Sequence, residues 1–356
     1  MAKDRVLIVE QNSTGHRLFY ARLLAQAALD RGAAVILLLH SDGDSRAEAV
    51  HLAPLLGRVD VLREPRMGLT EVSALSIRVR ATRTVVPDGD RFALELARRR
   101  SWAGFGRISL LIMREHAQPR GDGGAARAIA RVKSGVRTLA FRRVNGMSGV
   151  DLRVLKSAGW SGESRFAPAV DPVRVSTQAS QVAEFRGAHG LRQDRYWFAV
   201  LGAISGRKNL DVILGGLQQV EAPWSLLVAG IIDTDVSNDV RTGLRQLEKT
   251  GSAVVIDRLL SDEELDAAVG AADCVVLAHS NEGPSGLLGK AAAVGTRVVA
   301  AGAISLQRDL AALQGLGEWT DLSVGSLGHS LSRATTLPAP VPVLRTGSDG
   351  FTDALL

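Results

Sequence analysis

Residues 281–295, NEGPSGLLGKAAAVG, follow the apolar run CVVLAH and set an acid, a turn of small residues and a cation in close succession. Gly283, Ser285 and Gly286 permit close backbone approach. A helix opening there directs free N–H groups and the positive end of its dipole outward, an arrangement suited to a diphosphate. Glu282 at its edge could accept hydrogen bonds from sugar hydroxyls, and Lys290 falls one to two turns into the helix. A tight strand-to-helix turn with a surface acid and cation accounts for the same residues without any function.

A second candidate is LGAISGRKNLD (201–211), with Gly202 after a strand and Arg207 and Lys208 just ahead of the next helix. Two adjacent cations at a helix start oppose its dipole unless an anion lies between them. A solvated basic turn is the plainer reading. His16 directly follows Gly15 in the turn QNSTGH, where it could contact a phosphate or an acceptor, or simply cap a helix. Asp88 and Asp90 in VVPDGDR also follow a strand; they could accept from an acceptor's hydroxyls or amines, although a Pro-Asp-Gly turn needs no function. No D-x-D stands beside a cluster of other carboxylates, so no essential metal is expected.

The elements that must position these residues alternate. RVLIVE (5–10), a helix ending at Gly32 and AAVILLLH (33–40) make a βαβ unit, so the sheet is parallel. Strand and helix patterns continue through RISLLIMREH (107–116), a basic helix at about 125–143 and VDLRVLKSA. Between about 160 and 195 a Gly-, Ser- and Pro-rich stretch reads as a connection. A second alternating series runs from RYWFAVLGAI to TRVVAAG. The expected fold is α/β, two Rossmann-like doubly wound domains facing across a cleft. The first spans 1–165, a linker 166–195 and the second 196–335, followed by an irregular tail at 336–356. In such sheets ligands bind at the carboxyl ends of the strands. Acceptor specificity then belongs to first-domain loops at roughly 41–50, 64–80 and 117–125.

Composition narrows the class. Hydrophobic residues make up 46% and charged residues 22% of 356, as in soluble globular proteins, and two domains are the natural count. The single cysteine, Cys274, excludes an internal disulfide framework or a multi-Cys metal site and fits a reducing compartment. No apolar run reaches the roughly 20 residues of a spanning helix, and the N-terminal run is too short for a signal peptide, so a cytoplasmic setting is expected. The net charge of +6 suits an anionic ligand. Nucleic acid is not expected as a partner, because zinc-finger spacing and RNP-like aromatics are missing and aromatics are only 4%.

The pairing of a G-x(5)-K-N turn with an E-x(7) turn and helix, in two α/β domains, resembles the retaining GT-B glycosyltransferases that use sugar nucleotides. The likeness covers most of the chain and is firmest at about 196–302. It implies a hexosyltransferase with a nucleoside-diphosphate sugar as donor and no cofactor. By that resemblance Lys208 binds the diphosphate, Glu282 holds the donor sugar, and the amides of Ser285 and Gly286 sit by the phosphates. Gly15 lets the phosphate approach from the first domain, His116 lies near the sugar, and Ile232 and Arg258 border the base. Two positions depart from the pattern. Ala203 stands where an arginine is usual, with Arg207 as a candidate substitute. Lys290 stands where a second glutamate grips the ribose; a lysine can pair with phosphate but cannot accept a ribose hydrogen bond. A functioning variant and a weakened or inactive relative both follow from these departures. An epimerase on the same scaffold is a third reading, which the scarcity of carboxylates after the strands disfavours.

The basic helix carries Ile129, Val132, Val136, Leu139 and Val144 at helical spacing among six cations. Either the apolar positions pack into the core beneath a solvated basic face, or the helix lies on an anionic membrane, as a lipid-linked acceptor would suit.

Overall fold

The computed structural model describes residues 4–12, 16–43, 45–115, 117, 124–160 and 162–356, with the backbone alone at 16, 46 and 124–127. The chain forms two compact units. One comprises Met1–Lys156, Gly162–Val170 and Ser348–Leu356; the other comprises Ser157–Ser161 and Asp171–Gly347.

The strands of the first unit are β1 (Arg5–Glu10), β2 (Ala34–His40), β3 (Asp60–Glu64), β4 (Arg83–Val86), β5 (Arg107–Ile112), β6 (Val150–Lys156) and β7 (Pro168–Val170). They form one sheet in the order β3-β2-β1-β4-β5-β6-β7, parallel at every pairing. The inner strands are nearly continuous apolar runs because helices cover both faces; Leu7, Ile8 and Val9 are fully buried. The covering helices are α1 (His16–Asp30), α2 (Ser45–Leu52), α3 (Leu69–Val79), α4 (Asp90–Arg99) and α5 (Gly124–Asn145).

The second unit opens with α6 (Ala179–Ala188) and continues β8 (Tyr196–Leu201), α7 (Leu210–Leu217), β9 (Trp224–Ala229), α8 (Asn238–Lys249), β10 (Ala253–Ile256) and α9 (Asp262–Ala271). Then follow β11 (Cys274–His279), α10 (Gly286–Val294), β12 (Arg297–Gly302), α11 (Ile304–Ala312), β13 (Gly317–Thr320) and α12 (Val324–Ala334). Its sheet runs β10-β9-β8-β11-β12-β13, again all parallel.

Four segments differ from the sequence reading. The stretches 41–50 and 64–80, expected as loops, contain α2 and α3; Leu69, Val72 and Leu75 of α3 recur at helical spacing and are buried. The expected linker 166–195 carries β7 and α6. The expected irregular tail ends in α13 (Asp349–Leu355), which belongs to the first unit. Phe351 and Leu355, one turn apart, are buried at 1% and 0% exposure, and Phe351 packs on Tyr20 with ring centroids 5.0 Å apart. Burying that apolar pair offsets the entropy of ordering this segment.

In each sheet the strand order reverses once, between β1 and β4 and between β8 and β11. Chain connections leave in opposite directions at such a point and open a crevice at the carboxyl ends. In the second unit Lys208 and the turn at Ser285 and Gly286 follow the two strands at that point.

Candidate functional site in the second unit

Backbone geometry builds the turn after β8. Gly202 adopts φ +79°, and Gly230, at φ +135°, lies so close that a Cβ on it would stand 2.0 Å from the Gly202 carbonyl oxygen. Only glycine fits at 230. The Ile204 amide donates to Ile231 at 2.9 Å and the Asp233 amide to Ile204 at 2.8 Å, which carries the β8–β9 pairing into the turn. Asp235 accepts from the Gly206 amide at 3.0 Å. On the other side Asn209, in the left-handed region at φ 48°, donates to the Ala278 carbonyl at 2.8 Å, and the Ser280 amide donates to the Arg207 carbonyl at 3.0 Å. The turn is therefore fastened both to the loop after β9 and to the end of β11.

That fastening turns Lys208 inward. It is 4% exposed, and its ammonium donates to the Leu201 carbonyl. A Cβ on Gly202 would lie 3.8 Å from Lys208 Nζ and 3.9 Å from Leu287 Cδ1. The ammonium and the first turn of α10 thus converge on one spot. Ser285 precedes that turn in extended conformation, and no side chain caps the helix among the described residues. Burial, reinforced by the adjacent Arg207, pushes the Lys208 pKa down from 10.5 to about 7. Arg207 itself is exposed and reaches Asn281 Oδ1 at 3.4 Å.

His279, the last residue of β11, completes the crevice and was not singled out in the sequence. Its Nε2 is buried without a hydrogen-bond partner among the described residues. Burial first, then Lys208 and Arg207, hold its pKa down at about 3, so the imidazole is neutral. The legible signal was its place at the end of a switch-point strand. Two cations, a neutral imidazole and an uncapped helix start make a site for an anion. Among the described residues no group of three or more His, Cys, Asp or Glu side chains could hold a metal ion.

Other expected residues have structural partners. The Glu282 carboxylate accepts from the Ile304 amide at 2.9 Å and the Ser305 amide at 2.7 Å, and so caps α11. Next to Glu282, the Gly283 amide donates to Ser305 Oγ of α11 at 3.0 Å, and that hydroxyl donates to the Gly283 carbonyl at 3.1 Å. Lys290, expected near phosphate, is 8% exposed and pairs with Asp266 of α9, itself 2% exposed; it also donates to the Arg174 carbonyl at 2.9 Å. That pairing corrects the expectation, since Asp266 neutralises the charge meant to offset Ala203, which is exposed. Arg258 makes a two-pronged bond to Glu264 at 2.6 and 2.9 Å, and the Ile232 amide donates to Asp257 at 2.8 Å. Gly15 and His116 lie outside the described residues, and of His16 only the backbone is described, as the first residue of α1.

The switch point of the first unit has the opposite character. Glu10, at the end of β1, is 1% exposed and has Oε2 without a hydrogen-bond partner among the described residues; burial raises its pKa to about 8. Asp88 pairs with Arg17 at 2.8 Å, and Asp90 with Arg137 at 3.1 Å. Burial raises the Asp90 pKa to about 6, against the pull of Arg137. Glu10 was missed because it closes an apolar run and reads as the end of a strand.

Two doubly wound parallel sheets define the GT-B class, and the chain has that fold. Solved structures similar to it are glycosyltransferases. One from Rickettsia africae is 9% identical, with TM-score 0.67 over 100% of this chain and 94% of its own. Anabaena HepE in complex with UDP and glucose is 15% identical, with TM-score 0.65 over 99% and 94%. A sucrose-phosphate synthase from Thermosynechococcus elongatus is 14% identical, with TM-score 0.62 over 99% and 94%. No protein-family model matches the sequence, and no curated protein is similar to it at the sequence level.

Proposed function

We propose that the protein transfers a sugar from a nucleoside-diphosphate donor to an acceptor hydroxyl, with retention of anomeric configuration and no essential metal. The observation that carries this reading is Lys208. A buried amine beside a second cation, against an uncapped helix start, has no counter-charge among the described residues, and such a group is costly to leave unpaired. A diphosphate supplies it. Charge developing on the leaving diphosphate is then met by Lys208, Arg207 and the first amides of α10. The resemblance of the 202–209 and 282–290 motifs to retaining enzymes supports retention. HepE, solved with UDP, UDP and glucose, and UDP-glucose, makes a uridine donor the first to test. A cytoplasmic setting accords with the single, buried cysteine.

Calorimetry with UDP, GDP and ADP tests the site. The wild type is expected to bind one of them and Lys208→Ala none. Equal binding by that variant, or no binding of any nucleotide by the wild type, sinks the reading. A non-catalytic nucleotide-sugar-binding protein is the second reading. It is favoured by the engagement of Glu282 with α11 and of Lys290 with Asp266. Nucleotide binding without turnover of any donor, in donor-hydrolysis and transfer assays, would decide for it.

A further inference from the structure

The basic helix α5 packs on the first unit through Ala130, Phe141 and Val144, all buried. Its other apolar residues do not join that core. Ile129, Val132, Val136 and Leu139 are 54%, 69%, 62% and 71% exposed. Of the five positions whose spacing suggested a packed stripe, only Val144 is inside. At about 100° per residue the four exposed side chains fall within an arc of roughly 80°, with the packed residues on the other side of the helix. Arg131 and Arg142 flank one edge of this stripe, Lys133 flanks the other, and Arg143 continues its line; all four are exposed.

The charge is as lopsided as the apolar surface. Helix α5 holds six of the chain's 43 basic residues and none of its 37 acidic ones, so the rest of the chain carries equal numbers of each. A solvated helix gains nothing from four large aliphatic side chains in water, and isolated exposed aliphatics do not line up by chance at helical spacing between cations.

We propose that α5 is a membrane-surface helix that seats the first unit on a bilayer bearing anionic lipid headgroups. The aliphatic stripe enters the boundary between headgroups and acyl chains. The flanking arginine and lysine stems lie along it and raise their charged ends to the phosphates. The contact is peripheral: among the described residues no helix is long and apolar enough to cross a membrane. Charge selects this occupant. A second copy laid against the stripe would bring two sets of cations together. Nucleic acid would meet the aliphatic ridge before the cations beside it. The proposal does not depend on the donor site.

The test is co-sedimentation of the full chain with vesicles of phosphatidylcholine, with and without phosphatidylglycerol. The protein should pellet with the anionic vesicles, much less with the neutral ones, and less again as salt is raised. The triple variant V132S, V136S, L139S should lower vesicle partitioning at least about tenfold, because it removes only aliphatic area. Its melting temperature and nucleotide binding should be unchanged, since these side chains are exposed. Arg131→Glu with Arg142→Glu should abolish the preference for anionic lipid. Failure of the wild type to pellet with anionic vesicles, or wild-type pelleting by the triple serine variant, overturns the proposal. So does a lipid-independent dimer, or a nucleic-acid complex, that the serine variant disrupts while vesicle binding survives.

Discussion

Lys290 and Asp266 form a buried ion pair between α10 and α9, at 8% and 2% exposure. The amide of Ser176 donates to the same carboxylate at 3.0 Å, so the pair also ties the chain entering the second unit to its core. The position where the resemblance led one to expect a ribose-binding glutamate is here part of the packing. Lys290→Ala should strand Asp266 and cost about 3–5 kcal/mol, read as a lowered urea midpoint. Lys290→Glu should be at least as damaging, because it sets two carboxylates together; adding Asp266→Lys should recover part of the loss.

Lys208 should make nucleotide binding depend on pH. Its amine releases a proton near pH 7 in the free protein, against 10.5 in the unfolded chain. The unfolded state therefore binds more protons between those values, and this group's contribution raises stability as pH rises through that window. A diphosphate favours the charged amine, so binding takes up a proton above pH 7. Nucleotide affinity should fall as pH rises beyond 7. Calorimetry in buffers of different ionisation enthalpy should show the proton uptake, and Lys208→Ala should remove it.

Much of this arrangement was legible in the sequence, for reasons visible in particular residues. The strands at 5–10, 196–201 and 274–279 are buried on both faces and read as plain apolar runs. Gly202 stood out after its strand, whereas Gly230, whose backbone nearly touches it, did not. Lys208 could be placed after a strand and before a helix, because turn chemistry is local. Its inward direction was not legible, since that depends on Asp235 and Asn209 holding the turn from both sides. The partners of Glu282 and Lys290 come from residues 22 to 116 positions away, which no spacing rule announces. The helix at 69–79 was hidden by its polar face, and the C-terminal one by a Pro- and Gly-rich approach.

Glu10 should give the first unit a measurable pH response. Burial keeps its carboxyl protonated to about pH 8, while the unfolded chain releases the proton near 4.5. The folded state binds more protons across that range, so this group's contribution to stability falls as pH rises from about 5 to 8. Glu10→Gln should flatten the dependence and, near pH 8, stabilise the protein by on the order of a few kcal/mol, measured by denaturation at several pH values.

Glu282→Ala should loosen the start of α11, costing about 1–2 kcal/mol as other lost caps do. Hydrogen exchange at the amides of Ile304 and Ser305 should quicken, since both donate to this carboxylate. Glu282→Gln, which keeps an acceptor, should restore only part of that protection. If the residue also holds the donor sugar, turnover should fall more than nucleotide affinity.

Helix α13 closes a circuit: residues more than 300 positions apart complete the same lobe, with Tyr20 against Phe351 and Arg31 bonded to Asp353. No single cut can release that lobe whole, because one of its pieces always stays with the other half. Removing residues 348–356 would injure the first unit and leave the nucleotide-binding candidate folded.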